Sequence, residues 1–274
     1  MKIYLTGSSG FIGTHFCSSF HNFEIEKIDL RNINISNIHN KFNTGILIHC
    51  ASATPSNSSN DDFIIEQNKK LLSKVCHLIT KLNIELIINF SAISMFNGTK
   101  HTKINENTEF APLDYYSKSK VFVEKLLYSD YYISNKIGVI NLRLPCVLGL
   151  GAKDGIIPRI REALISNHNI EIYNTNSMFN NVVYIFDVFQ FINRILQKYN
   201  AFIGKYENFN LATSKPEKFL SVLNYMKNRL NSSSTFNHNN NSRNSFVISI
   251  DKAERYGFNS CGTIESISKY INLK

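Results

Sequence analysis

Tyr116 and Lys120 stand four residues apart in the run Tyr115-Tyr-Ser-Lys-Ser-Lys120, and Val121, Val123, Leu126 and Leu127 continue it with a helical apolar period. Four apart on a helix means one face. A free phenol titrates near pH ~10, and an adjacent ammonium stabilises its phenolate. Such a pair can take a proton from an alcohol or give one to a ketone, and the lysine can also hold a ribose hydroxyl. A second pattern sits at the start of the chain, where Gly7, Gly10 and Gly13 recur at three-residue spacing. They leave an apolar run, Lys2 to Thr6, and enter a helical period through Phe11, Ile12, Phe16 and Cys17. A strand, a glycine turn and a helix N-terminus in that order cradle a pyrophosphate: backbone N–H groups approach it closely and the helix end favours negative charge. Ser9, Phe11 and Ile12 belong to that cradle with the three glycines.

The elements that must position these groups can be read in order. Phe23 to Asp29 alternates as a second strand, and Asp29 closes it sixteen residues after Gly13. An acid at that place can accept both hydroxyls of an adenosine ribose and would repel a 2′-phosphate, which favours NAD; Arg31, two residues on, softens that preference and keeps NADP open. Capping of a turn is the other reading of Asp29. Residues 30–45 read as a polar loop and Gly45–Cys50 as a strand, after which Ala51, Ser52 and Ala53 leave room for a ligand at the sheet edge. Residues 56–62 read as loop, Phe63–Leu82 as an amphipathic helix containing Asn68, and Ile84–Phe90 as a strand running into Ser91 and Ser94. A polar loop over 97–113 precedes the Tyr116/Lys120 helix, and Ile137–Leu144 is a further strand. This alternation predicts a parallel, doubly wound α/β sheet of Rossmann type. Residues 1–150 are assigned to the nucleotide-binding domain. Residues 151–274 are assigned to a smaller C-terminal substrate-binding lobe, interleaved with the first and without a core of its own, in which 231–244 is an Asn/Ser-rich mobile loop.

Composition narrows the function class. The chain has 274 residues, 43% of them hydrophobic, enough for one large α/β domain or one with a small added lobe. Its five cysteines form no Cys-x-x-Cys pair and its eight histidines no metal-ligand spacing, so no metal site is expected. No apolar run reaches the length of a membrane span, and the strand at residues 2–6 leaves no room for a secretory leader, so a cytoplasmic location is expected. The net charge of +9 comes without a basic run of five or a nucleic-acid motif; it reads as scattered lysines and arginines whose field attracts an anionic substrate.

Together these residues resemble the extended short-chain dehydrogenase/reductase family, in its nucleotide-sugar epimerase/dehydratase branch, over nearly the whole chain. Thr6-Gly-Ser-Ser-Gly-Phe-Ile-Gly13 is similar to the family's opening motif, Asp29 to its ribose acid, and His49-Cys-Ala-Ser-Ala53 to its His-Leu-Ala-Ala strand end. Asn68 resembles its helix asparagine and Tyr116/Lys120 its catalytic pair. Arg143-Leu-Pro-Cys-Val-Leu-Gly149, Val182–Val188, Asn210-Leu-Ala and Asp251–Phe258 resemble later family segments. The resemblance implies an NAD(P)-dependent enzyme of carbohydrate biosynthesis with a nucleotide-sugar substrate, hydride transfer at a sugar hydroxyl or ketone, and dimerisation through the two long helices, whose apolar faces core packing explains equally well.

The departures bear on the reaction. By the best register Ala92 takes the place of the family's catalytic Ser or Thr, with Ser91 one residue before it and Ser94 two after; Ser91 is the preferred hydroxyl. Ala92 and Ile93 offer no acidic pair, which argues against 4,6-dehydration. Cys146 replaces an asparagine on the diphosphate side, and Asn180 and Asn181 replace an arginine-containing pair, leaving Arg159 or Lys153 as substitute cations. Epimerase and 4-keto-sugar reductase both stay open, as does a weakly catalytic cofactor-binding sensor.

Overall fold

The computed structural model describes residues 2–33, 41–54, 61–128, 136–239 and 244–273. The chain divides into two compact units: residues 1–95, 112–143 and 194–209 form the first, and 96–111, 144–193 and 210–274 the second. Segments 96–111 and 194–209 thus lie on the opposite side of this division from a single cut at residue 150.

The first unit is built on a six-stranded sheet of β1 (Lys2–Thr6), β2 (Glu24–Ile28), β3 (Lys41–His49), β4 (Leu82–Ala92), β5 (Gly138–Leu144) and β6 (Tyr206–Asn210). Its spatial order is β6-β5-β4-β3-β1-β2, and β1 pairs in parallel with β2 on one side and β3 on the other. The strand order therefore reverses at β1, and open α/β sheets take their ligands at the carboxyl ends of the strands beside such a reversal. Tyr4, Leu47, Ile87 and Val139 point one way into a cluster with Leu72, Val75, Leu78 and Ile79 of helix α2 (Asp61–Lys81) and Val123 and Leu127 of helix α3 (Tyr115–Leu127). Ile3, Leu5, Ile46, Ile48, Leu86 and Ile88 alternate with these and are just as buried. Burial on both faces is why these strands read as continuous apolar runs. The sheet matches the expected Rossmann-type α/β architecture.

Two boundaries differ from the reading of the sequence. β3 begins at Lys41, four residues ahead of Gly45, because Lys41 pairs with Leu82 across a register shift that no apolar alternation announces. β4 runs on to Ala92, so Ser91 lies inside a strand. The loop expected at 56–62 falls largely outside the described residues. A polar ladder also crosses the sheet: Asn89 Nδ2 donates to Asn141 Oδ1 at 2.7 Å, and Asn141 Nδ2 donates to Asn208 Oδ1 at 2.9 Å and Tyr206 Oη at 2.8 Å.

The second unit has a core of its own, contrary to the expectation. Leu148, Ile157, Ile160, Leu164, Val182, Phe219, Val222, Leu223, Met226, Ile267 and Tyr270 pack together. They come from α4 (Ile156–Ile165), α6 (Phe219–Arg229) and α8 (Thr263–Ile271) and from short strands, so no single window of sequence displays the core. Helices α5 (Ile185–Gln197) and α7 (Asp251–Arg255) complete the set. The polar loop 97–113 contributes a strand, Lys103–Ile104, that pairs with Val247–Ile248 around the buried Ile104. In the Asn/Ser-rich stretch, Phe236–His238 pairs with Ile170–Ile172 and Asn167 Oδ1 accepts from Ser233 N at 2.8 Å, so its described part is ordered; 240–243 lie outside the described residues.

A test of this packing is Gly138. A Cβ there would lie 2.3 Å from the Phe202 carbonyl oxygen, a backbone atom that cannot swing aside. Gly138→Ala is expected to lower stability by about 1–3 kcal/mol, read from the midpoint of urea unfolding.

Candidate active site

The glycine turn closes because three backbones approach too closely for side chains. Gly7 sits at φ 71°, where glycine is favoured, and a Cβ on it would lie 2.6 Å from Ala51 N at the exit of β3. Gly10 N–H donates to Gly7 O at 3.1 Å, and Gly10 is the extended N-cap of α1 (Phe11–Ser19). A Cβ on Gly13 would lie 2.1 Å from Gly7 O, so only glycine lets α1 pack back onto the turn. Among the described residues no side chain caps α1, which leaves the first-turn amides of Phe11, Ile12 and Gly13 open to an external acceptor. Ser9 is exposed beside them. These features fit a dinucleotide pyrophosphate.

The exit of β3 is riveted on both sides. Thr6 Oγ1 and His49 Nδ1 are 2.8 Å apart, and burial, with a smaller contribution from the Lys120 ammonium, pushes the His49 pKa down to about 3, so the ring is neutral. Asn68 of α2 accepts from Ala53 N at 2.8 Å and donates to Ser119 Oγ of α3 at 2.9 Å, fixing the segment that follows Ala51. Beyond β2, the Asp29 carboxylate accepts from Arg31 N (3.0 Å), Arg31 Nε (3.1 Å) and Asn32 Nδ2 (2.9 Å). The Arg31 backbone N–H first, then its guanidinium, hold the Asp29 pKa below the ordinary carboxylate value. Arg31 thus lies against Asp29 and partly offsets its charge. A depression of about 260 Å³ lined by Ile28, Asp29, Asn32, Ile33 and Leu82 adjoins this corner.

Helix α3 starts at a capping box in which the Asp114 carboxylate accepts from Ser117 N at 2.7 Å and Ser117 Oγ faces the Asp114 backbone N–H. This sets the helix phase, with Tyr116 half-buried and Lys120 buried. Lys120 Nζ donates to Phe90 O of β4 at 2.9 Å and lies 5.5 Å from the centre of the Tyr116 ring. Burial pushes the Lys120 pKa down to about 8, opposed by Cys50 and Glu124. Phe90 immediately precedes Ser91, so Lys120 is tied to the serine-bearing end of β4. Ser91 Oγ is buried and contacts Met95 Sδ at 3.8 Å, whereas Ser94 Oγ is buried with no hydrogen-bond partner among the described residues. Ser94 is thus the hydroxyl with free capacity.

Several contributors escaped the reading of the sequence. Thr6 and His49 look like strand ends, and Ser119 like a helix filler; only their mutual distances give them a role. Glu124 continues the Tyr116, Lys120 spacing by four more residues, a signal that could have been followed. In the second unit, Asn180 donates to Thr213 O (3.2 Å) and Ile248 O (2.9 Å) and accepts from Ile248 N (2.9 Å), so its amide is committed to the fold. Burial pushes the Cys146 thiol up to about 12, while Arg159 Nε bonds its own helix start, Gly155 O, at 3.2 Å. Among the described residues no cluster of metal-ligating side chains occurs, and no helix is long and apolar enough to cross a membrane.

This fold and cradle define a nucleotide-binding α/β protein with a Tyr/Lys pair at the strand ends. Residues 3–212 match the model of the NAD dependent epimerase/dehydratase family, and the chain belongs to that family. An uncharacterized protein, MJ1055, of Methanocaldococcus jannaschii is 24% identical, over 84% of this chain and 81% of its own length. A dTDP-D-glucose 4,6-dehydratase of Dictyostelium discoideum is 28% identical, over 72% of this chain and 56% of its own. Among solved structures, a UDP-glucuronic acid 4-epimerase from Bacillus cereus, in complex with NAD, superposes with a TM-score of 0.79 at 19% identity, covering 99% of this chain and 98% of its own.

His49 makes the site acid-sensitive. Its folded pKa of about 3 lies below the unfolded value of 6.5, so its contribution is present above about pH 6.5 and is lost as pH falls towards 3. The urea midpoint is expected to fall between pH 7 and pH 4, and to fall less in His49→Asn; equal slopes would remove His49 as the cause.

Proposed function

We propose that the chain is an NAD-dependent oxidoreductase that acts on a nucleotide sugar by proton and hydride transfer at one sugar carbon, as an epimerase or a 4-keto-sugar reductase. The observation that carries this is the Tyr116–Lys120 face set at the end of β4, with Lys120 Nζ 2.9 Å from Phe90 O. The Gly7–Gly13 turn would hold the pyrophosphate of the dinucleotide, Asp29 its adenosine ribose, and Ala51 would leave room beside it. Bound there, the nicotinamide supplies the hydride acceptor or donor.

Tyr116 takes the proton of the sugar hydroxyl during oxidation and returns it during reduction. Lys120 stabilises the phenolate and can bond the nicotinamide ribose, exchanging its Phe90 contact for that hydroxyl. Ser91 or Ser94 donates to the reacting oxygen; Ser94, with no hydrogen-bond partner among the described residues, is the alternative to the preferred Ser91. The absence of acidic side chains at Ala92 and Ile93 disfavours dehydration. With the Asn180 amide committed to backbone groups, a substrate diphosphate would need a cationic partner elsewhere, and Arg159 and Lys153 are the candidates read from the sequence.

The cheapest test is a denaturing extract of the purified protein analysed for dinucleotide and sugar nucleotide. Retained NAD without net redox change supports the epimerase; steady NADH consumption supports the reductase. Tyr116→Phe is expected to lower kcat at least ~100-fold with cofactor still bound; unchanged turnover would sink the proposal. Because the Lys120 pKa is about 8, kcat/KM should fall as pH rises through that value, where the ammonium is lost.

A further inference from the structure

We infer that Glu124 and Arg143 form a positioning brace that locks the rotation of α3, and so aims Tyr116 and Lys120 at one point. This rests on the Tyr116/Lys120 reading above. Tyr116, Lys120 and Glu124 follow at four-residue steps on α3 and descend from half-buried to 7% and 1% exposed. At the deep end the Glu124 carboxylate meets Arg143 of β5 fork to fork. Nε lies 3.0 Å from Oε1 and Nη2 lies 2.7 Å from Oε2, and both side chains are 2% exposed. One turn further out, Lys120 Nζ bonds Phe90 O of β4, and at Glu124 itself the backbone O accepts from Tyr206 Oη of β6 at 3.1 Å. One face of α3 is thereby tied by polar contacts to three strands.

Stability alone does not explain the pair. A buried ion pair can be replaced by apolar side chains of similar volume at little cost, whereas a bidentate pair has one geometry. An apolar contact tolerates rotation about the helix axis. With a helix radius of ~5–6 Å, a turn of ~20° moves surface atoms by ~2 Å, and misplacement by ~1 Å can cost ~100-fold in rate. The brace also supplies charge. Lys120 faces His49 and Cys50 at the end of β3, the Phe90 carbonyl of β4, and Tyr116 and Glu124 on its own helix. His49 is neutral and burial pushes the Cys50 thiol up, so the Glu124 carboxylate, itself paired with Arg143, is the acidic side chain among these groups that raises the Lys120 pKa.

The test uses Glu124→Gln, which keeps shape and removes charge, and the double variant Glu124→Leu/Arg143→Met, which replaces the pair with apolar volume. Cooperative urea unfolding establishes that each is folded. In both, kcat is expected to fall at least ~10-fold while the KM for sugar nucleotide moves less than ~3-fold. In the Gln variant, Lys120 should titrate at lower pH than in the wild type, followed by ¹³Cε NMR in the free protein and assigned by Lys120→Met. Folded variants with wild-type kcat and wild-type Lys120 titration overturn the brace. Should neither fold, Glu124→Asp keeps the charge and shortens the reach: a lowered kcat with unchanged titration supports the brace, and wild-type kcat overturns it. The titration needs no turnover, so failure of the proposed reaction is distinguishable from failure of the brace.

Discussion

The site depends on how tightly the exits of β1 and β3 are drawn together. A Cβ on Gly7 would collide with the backbone at Ala51, and one on Gly13 with the carbonyl of Gly7. Without those side chains the chain can leave β1, turn and enter α1 within a few residues, so that uncapped helical amides end up at the point where the strand order reverses. Thr6 and His49 close the same gap from the side-chain direction. Had either glycine carried a side chain, the strand ends would separate and the amides would point elsewhere.

A second constraint follows from putting polar groups inside the sheet unit. Lys120, Glu124, Arg143, Asn89 and Asn141 are all buried, and each has a partner there. Burial of such groups without partners costs several kcal/mol or more, so their network has few alternative arrangements. The layer between α3 and the strands is correspondingly directional, whereas the cluster around Leu72, Val75 and Leu78 is ordinary apolar packing. Lys120 illustrates the tension: its burial disfavours the ammonium that the proposed chemistry needs, and Cys50 and Glu124 offset that only in part.

The second unit departs most from the family resemblance. Asn180 serves as a clamp between backbone segments at Thr213 and Ile248, and Cys146 is a half-buried, protonated thiol beside Gly155. Both positions have been turned towards holding the fold. Neither the Asn180 amide nor the Cys146 thiol is left open to a ligand by these contacts.

By itself the sequence determined the parts whose signal is local. Glycine spacing, the apolar runs of β1, β3 and β5, the acid after β2 and the Tyr116/Lys120 step are each written in a window of a few residues, because turn geometry, strand burial and helix phase are set over that range. Tertiary structure alone decided the rest. The partnership of Thr6 with His49, of Asn68 with Ser119 and of Glu124 with Arg143 joins residues 43, 51 and 19 positions apart. The core of the second unit gathers side chains from segments spread over more than a hundred residues, and Ser94 is distinguished from Ser91 only by what surrounds each hydroxyl. Such pairings depend on which strands become neighbours, and that order is a property of the assembled sheet, which no stretch of the chain encodes alone.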